Sequence, residues 1–438
     1  MIERVILAGV DLTQGSRTAS KAVPRTGADL VDHAEESLAE LATLAASAGG
    51  SVVHQVLQRR PRADSATLIG SGKVEELKAE VKAFDAHTVI FDNELSPTQQ
   101  RNLERELDVK VIDRTQLILD IFARRARTSE GQLQVELAQL SYLLPRLTGH
   151  GLALSRQGGG IGTRGPGETQ LETDRRKIST RIKIIERSLE NVRAGRGIQR
   201  RQRQSVPLST IALVGYTNAG KSTLFNRLTG AAVLADAKMF ATLDLTVRHV
   251  ILPSRRKILL SDTVGFIRNL PTTLVKAFRA TLEEVREAEL LLHVVDASSE
   301  EAAEHTAHVL EVLKEIEASD KPQILVLNKM DAFTGTGTDA SGLAGRILGD
   351  ATMPAAIVSG RTGDGVAELL KRIDETLSID PVSPGTFRFP VGDGAVLNLL
   401  HELAVVRSTD FGEEYCTVIV DAPRSVHLRL GRFLVDQA

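Results

Sequence analysis

The sequence predicts a multidomain α/β protein: a P-loop domain, preceded by an α/β N-terminal domain with a helical hairpin and followed by a small α/β C-terminal domain. Three observations carry this expectation. At 438 residues the chain exceeds one ordinary domain, since domains usually run to roughly 100–200 residues. Short β-rich runs alternate with helical periodicities, the pattern of parallel strands joined by crossover helices. The apolar run Thr210–Val214 leads straight into Gly215-Tyr216-Thr217-Asn218-Ala219-Gly220-Lys221-Ser222 and then a helix-like Thr223–Leu228. That is a glycine-rich phosphate loop in its proper strand–loop–helix setting.

Apolar residues at 42% and charged residues at 25% supply sizeable cores and exclude collagen-like or wholly disordered chains. Lysine plus arginine total 54 against 56 acidic residues, so any affinity for polyanions must come from local patches. A single cysteine, Cys416, excludes an internal disulfide framework and a cysteine-based zinc site, and fits a reducing compartment. Glu3 and Arg4 precede only a short apolar run, and no stretch approaches the ~18 apolar residues of a membrane span. A cytoplasmic, membrane-free monomer is the expectation.

Residues 1–128 read as the N-terminal α/β domain. Arg4–Val10, Ser51–Leu57, Thr88–Asp92 and Val109–Asp113 are its expected strands. Asp29–Ala48, Val74–Phe84 and Pro97–Leu107 are its helices, the last opened by Ser96 as N-cap and Pro97 at the first helical position. Gly70-Ser71-Gly72-Lys73 is too short to specify a phosphate loop for ATP and reads as a tight turn with a helix-capping serine.

Residues 129–205 read as a basic antiparallel helical hairpin with a linker. Leu133, Leu137, Leu140, Leu144 and Leu147 recur at steps of four and three, and Ile178, Ile182, Ile185, Leu189 and Val192 repeat the pattern. The glycine-rich stretch between them, with His150, Arg156 and Arg164, forms the tip, and Gly195–Gln204 is a polar linker. Thr173–Gln204 holds eleven lysines and arginines against three acidic residues. A solvated face is the common meaning of such a run, but this excess is one-sided and adjoins a flexible loop, which favours RNA phosphates. Arg156, Arg164, Arg175, Arg176 and Lys177 are the candidate contacts. At 3% aromatics, recognition by base stacking is not expected.

Residues 206–380 carry the chemistry. Gly215 and Gly220 let backbone N–H groups of Tyr216, Thr217, Asn218, Ala219 and Thr223 surround phosphates; Lys221 reaches the β- and γ-phosphates, and Ser222 binds Mg²⁺. Asn328-Lys329-Met330-Asp331 follows the strand Gln323–Leu327. An aspartate there accepts from guanine N1–H and its exocyclic amine, donors adenine does not offer, so the expected ligands are GTP and GDP. Asp262-Thr263-Val264-Gly265 places a carboxylate beside the Mg²⁺ shell, touching the ion's ligands or reaching it through water, and a glycine N–H toward the γ-phosphate. Within Phe240-Ala241-Thr242-Leu243-Asp244, Thr242 is the threonine expected to close on Mg²⁺ and the γ-phosphate. Lys221, Thr242 and Gly265 are thus the catalytic candidates, and Ser359-Gly360-Arg361 is the loop expected behind the base. Asn218 lies where some GTPases hold K⁺, although a loop-stabilising amide explains it equally well. Phe266 stands where many regulatory GTPases carry the glutamine that orients water, so hydrolysis should be slow in isolation.

Residues 384–438 follow a proline-marked linker and suggest a small βαβ-like appendage from Phe387–Val391, the helical Ala395–Val406 and the alternating Tyr415–Val420. Cys416 reads as a small buried hydrophobe there.

Several segments outside the nucleotide motifs resemble the HflX family of ribosome-binding GTPases. They are Ile69–Leu77, the stretch from Phe91 through Glu94-Leu95-Ser96-Pro97 to Arg101–Glu104, Val111–Thr115, Leu133–Leu147 and Gly158–Glu172 with Gly165-Pro166-Gly167-Glu168-Thr169. The resemblance spans nearly the whole chain. It implies a GTPase that docks on the large ribosomal subunit and its RNA and dissociates or rescues stalled ribosomes under stress; stimulation by ribosomes is the expectation from Phe266. The alternative is a GTP-gated module that occupies a ribosomal site or blocks subunit joining, with incidental hydrolysis. Leu245 and Gly360-Arg361 depart from the family's usual proline and alanine–lysine pair.

Overall fold

The computed structural model describes residues 3–12, 27–147, 166–204, 208–230, 239–240, 246–268, 279–333, 340–349, 353–377 and 381–437. They divide into two compact units, one up to residue 190 and one from 191 onward. His150, Arg156, Arg164, Ala241, Thr242, Leu243 and Leu245 lie outside the described residues.

In the first unit, β1 (Glu3–Leu12), β2 (Gly50–Arg60), β3 (Thr88–Phe91) and β4 (Lys110–Asp113) form a parallel sheet of order β2-β1-β3-β4. Val5–Val10 and all of β3 are buried, as strands covered on both faces require. The crossovers are α1 (Gly27–Ser47), α2 (Ser71–Ala83) and α3 (Pro97–Leu107). Ser96 and Gln99 form a reciprocal capping box at the start of α3, with Pro97 at the first position. At α2 the sequence reading needs correction. Gly70, not serine, is the N-cap, and no side chain caps the helix; Ser71 is already its first residue. Gly70 N–H donates to Gln58 Oε1 at 3.0 Å, and Lys73 is paired with Glu76 at 2.7 Å.

Asp113 caps α4 (Arg114–Arg125), which packs against α5 (Ser129–Leu143). The buried face of α5 is Gln134, Val135, Ala138 and Tyr142, whereas Leu133, Leu137 and Leu140 are only half-buried. The leucine stripe is therefore not the main packing seam, because α4 claims the neighbouring face. Helix α6 (Pro166–Gln204) starts with proline at its first position and runs 39 residues, about 58 Å of rise. It continues through Gly195–Gln204, correcting the expected linker; arginine and glutamine are good helix formers and outweigh two glycines. Arg181 grips Glu136 of α5 with two hydrogen bonds, 2.6 and 2.8 Å, joining the two arms.

The second unit contains a six-stranded sheet of order β10-β9-β8-β5-β7-β6. Its strands are β5 (Thr210–Gly215), β6 (Thr246–Ile251), β7 (Lys257–Asp262), β8 (Leu290–Asp296), β9 (Gln323–Asn328) and β10 (Ala355–Ile357). All are parallel except β6, which pairs antiparallel with β7. The helices are α7 (Lys221–Thr229), α8 (Arg279–Glu287), α9 (Ala302–Glu315), α10 (Ala340–Leu348) and α11 (Val366–Thr376). One core joins Leu213, Phe225, Leu260, Leu292, Val326 and Leu369.

The C-terminal segment is not a βαβ unit. Strands β11 (Val382–Pro390), β12 (Val405–Phe411), β13 (Tyr415–Pro423) and β14 (Leu434–Gln437) form an antiparallel sheet of order β12-β13-β11-β14, with α12 (Gly394–Leu403) and α13 (Arg424–Arg429). Residues 412–414 close a β12–β13 hairpin, which a crossover reading has no place for. Cys416 is buried among Phe387, Phe389 and Val418, and burial raises its thiol pKa.

Candidate nucleotide site

The loop after β5 is built where glycine alone fits. Gly215 has φ +151°, and a Cβ there would fall 2.2 Å from the Val294 carbonyl oxygen; at Gly220, φ +89°, it would fall 2.3 Å from Asn328 Nδ2. Between them the chain turns through Asn218 at φ 61° and enters α7 at Lys221, whose first turn presents backbone N–H groups. Such a helix start attracts anions.

Lys221 folds back over the loop, and its ammonium donates to the carbonyls of Gly215 at 3.0 Å and Tyr216 at 2.7 Å. Burial pulls its pKa down to about 8, with Asp262 opposing the shift. A phosphate arriving here meets a lysine that is already aimed. Beside it, Ser222 Oγ donates to Asp262 Oδ2 at 2.7 Å. A hydroxyl and a carboxylate are hard oxygen donors, and together with phosphate and water oxygens they suit Mg²⁺. Among the described residues no cluster of three or more His, Cys, Asp and Glu could hold a metal, and Mg²⁺ with a nucleotide needs none.

The segment after Asp262 lies against the loop. Phe266 N–H donates to Gly215 O at 3.1 Å and Thr217 N–H to Phe266 O at 2.7 Å. A Cβ on Gly265 would fall 2.9 Å from both Lys221 Nζ and Thr217 Cα. Only glycine allows that approach. Val264 and Phe266 are buried, Phe266 at 3% exposure, so its ring belongs to the interior. Thr263 Oγ1 donates to Leu213 O at 2.5 Å, a tie to the sheet. Phe240 is also buried, at φ 56°.

The base end is knitted around Asn328. Its amide donates to Ala219 O at 2.8 Å and accepts from Gly360 N–H at 2.9 Å, which links the phosphate loop, β9 and the loop after β10. Asp331 Oδ1 accepts from Ser359 Oγ at 2.7 Å, and Arg361 stands 3.8 Å from Oδ2. Lys329, at φ 62°, pairs with Asp296 at 2.7 Å. Arg227 donates to the carbonyls of Gly360 and Arg361, fixing their loop. A Cβ on Gly360 would stand 3.2 Å from Leu224 N and 3.3 Å from its Cα, so alanine there would require a small shift.

Of the expected nucleotide residues, Gly215–Thr223, Asp262–Gly265, Asn328, Lys329, Asp331 and Ser359–Arg361 converge at one end of the sheet. Phe240 is placed too, and Ala241, Thr242 and Leu243 fall outside the described residues. The Tyr216 side chain faces elsewhere. Its ring stacks on His305 of α9 with centroids 3.8 Å apart, and its hydroxyl accepts from Arg268 N–H at 2.9 Å. Arg268 in turn pairs with Glu304 at 2.5 Å, and His308 Nε2 meets Ile267 O at 3.0 Å. Burial, then Arg268, lowers the His305 pKa to about 4. His293 of β8 is fully buried and held neutral, its pKa lowered to about 4 by burial and by Lys221. Sequence reasoning missed these partners. The only hint was the polar spacing Glu301, Glu304, His305, His308 along one helix.

In the first unit, Arg175, Arg176 and Lys177 are exposed on α6, with Arg176 held by Glu172 and Lys177 by Asp174. Exposed pairs of this kind are worth little and exchange readily for phosphates.

A mainly parallel sheet with a phosphate loop at one end, a serine–carboxylate pair and an Asn-Lys-x-Asp motif after its fifth strand defines a P-loop GTPase. Family comparison gives the same class and a more particular one. Residues 35–123 match the GTP-binding GTPase N-terminal family, 125–203 the GTP-binding GTPase middle region, and 210–329 the family described as 50S ribosome-binding GTPase. GTPase HflX of Alkalihalophilus pseudofirmus is 57% identical over 300 residues, 68% of this chain and 71% of that protein. GTPase HflX of Caldanaerobacter subterraneus subsp. tengcongensis is 46% identical over 402 residues, 92% of this chain and 91% of that one. A GTP-binding protein from Sulfolobus solfataricus, solved with GDP, is 24% identical with a TM-score of 0.43 and covers 85% of this chain and 98% of its own. The chain belongs to the HflX family of GTPases, and its reaction is hydrolysis of GTP to GDP and phosphate.

Proposed function

We propose that this GTPase uses its nucleotide state to engage the ribosome, chiefly the large subunit and its RNA, and that it dissociates or rescues stalled ribosomes under stress. The observation that supports this most is that the match to HflX proteins runs through the N-terminal, middle and GTPase regions together, with an exposed basic face on α6. Such a face suits phosphate-backbone contacts.

At the site, Lys221 neutralises charge between the β- and γ-phosphates, and the N–H groups of Tyr216 to Thr223 surround the phosphate oxygens. Ser222 and Thr242 would hold Mg²⁺, with Asp262 beside that shell or reaching the ion through water, and Gly265 would offer its N–H to the γ-phosphate. Bound Mg²⁺ supplies charge stabilisation to the transferring phosphoryl group. Asp331 reads guanine, with Asn328 and Ser359-Gly360-Arg361 supporting the pocket. Phe266 has no group to orient water, so the missing positioning comes from another residue, from the ribosome or from K⁺ held beside Asn218. Replacing K⁺ by Na⁺ at constant ionic strength should then lower turnover.

A ribosome-occupancy module with incidental hydrolysis is the second reading, and the buried, apolar Phe266 favours it. Sedimentation of intact ribosomes with the protein plus GTP, GDP or a non-hydrolysable analogue separates them. Nucleotide-dependent conversion of whole ribosomes to subunits supports dissociation; co-sedimentation with intact ribosomes alone supports occupancy.

A further inference from the structure

The C-terminal sheet holds the strand pair that carries Asp262. β6 and β7 form a hairpin of six paired residues, from Thr246 opposite Asp262 at its open end to Ile251 opposite Lys257 near its tip. Thr246 directly follows the segment containing Thr242. One end of this ribbon thus adjoins both segments expected to respond to the γ-phosphate, and its other end is the tight turn Leu252–Arg256. That turn is closed by Arg255 N–H donating to Leu252 O at 2.8 Å and by Leu252 N–H donating to Arg256 O at 2.9 Å.

The turn is gripped from two sides. Ser254 donates its N–H and hydroxyl to Asp374 of α11, at 2.8 and 2.7 Å. Arg255, at φ 64°, reaches out to Asp421 of β13 at 2.8 Å. Just beyond, Lys257 Nζ donates to His401 O of α12 at 2.5 Å. Asp421 is 3% exposed, and it also takes two hydrogen bonds from Arg407, at 2.5 and 2.8 Å. Arg407 first, then Arg255, holds its carboxyl below the usual carboxylate range. A buried carboxylate shared by two arginines is costly to pull apart. Six paired residues fix the register of this hairpin, so its tip and its open end belong to one ribbon.

We propose that Asp421 is a positioning residue for the nucleotide switch, acting through Arg255 so that the C-terminal sheet and the γ-phosphate end of the GTP site bias one another. It touches no nucleotide. Coupling of this kind is reciprocal: nucleotide state shifts the C-terminal sheet by the same free energy with which the sheet shifts nucleotide preference.

The test is the ratio of dissociation rates of fluorescent GDP and a fluorescent non-hydrolysable GTP analogue, measured on the full chain. Arg255→Ala breaks the bridge and leaves Arg407 on Asp421, so the sheet keeps its own pairing. It should change the ratio at least about fivefold, the low end of typical coupling, and Arg255→Lys should restore it in part. Asp421→Asn added to Arg255→Ala should lower the melting temperature further but leave the ratio where Arg255→Ala put it. A smaller change in Arg255→Ala, or an undiminished effect of Asp421→Asn in its absence, overturns the proposal and leaves a purely structural contact.

Discussion

Asp331 accepts from the Ser359 hydroxyl through one carboxylate oxygen and is the residue proposed to read guanine. Guanine offers two donors on one edge, and xanthine replaces the amine with an acceptor. Asp331→Asn should therefore weaken GTP by about 100-fold, the scale of losing paired charge-assisted bonds, while xanthosine triphosphate is weakened far less. Equal losses in a nucleotide competition assay would remove Asp331 from the base pocket. Lys221 gives a second expectation, in pH. Its pKa in the free protein is about 8, because burial disfavours the charged ammonium. A bound phosphate favours that charge and raises the pKa, so at pH 8 binding should take up roughly half a proton, falling toward zero near pH 6.5. Calorimetry in buffers of different ionisation enthalpy reads this directly; no uptake at pH 8 would contradict it. These residues were legible because phosphate and guanine chemistry dictates which side chains stand at which spacing. Tyr216 was not, since its partners His305 and Arg268 are 89 and 52 positions away and share no motif with it.

Single elements were legible in proportion to how far their periodicity met one neighbour. The parallel strands β1, β3 and β5 stood out because both faces are buried and their sequences are continuously apolar. β12 was invisible: Val405–Phe411 is mostly polar and half-exposed at a sheet edge, so its first residues read as the end of the preceding helix. Without β12 the antiparallel C-terminal sheet became a crossover unit. Helix α5 shows the same limit, for its leucines mark one face while α4 occupies another. On α6, the exposed Arg175, Arg176 and Lys177 are expected to touch phosphates. Neutralising all three should reduce the slope of log binding constant against log salt for ribosomes by about 2, at roughly 0.7–0.9 per phosphate contact. An unchanged slope would mean that this part of the helix faces away from RNA.

At the scale of the whole molecule, the account rests on a GTP site that is assembled in advance yet incomplete. Lys221, Ser222, Asp262 and Asn328 are already tied to one another or to the loop, so binding requires little reorganisation. Where water would need a polar guide, Phe266 is instead buried, with its backbone paired to the phosphate loop. We expect binding and hydrolysis to be separable, with the positioning that Phe266 does not provide supplied by another residue, a cation or the ribosome. The most direct test is GTP turnover by the full-length protein alone and with purified large ribosomal subunits, alongside Phe266→Leu, which keeps the interior filled. The account predicts slow basal turnover, stimulation of at least about tenfold, equivalent to ~1.4 kcal/mol of barrier, and a Phe266→Leu basal rate within a few-fold of the parent. Rapid turnover by the protein alone, with no response to large subunits, would contradict it.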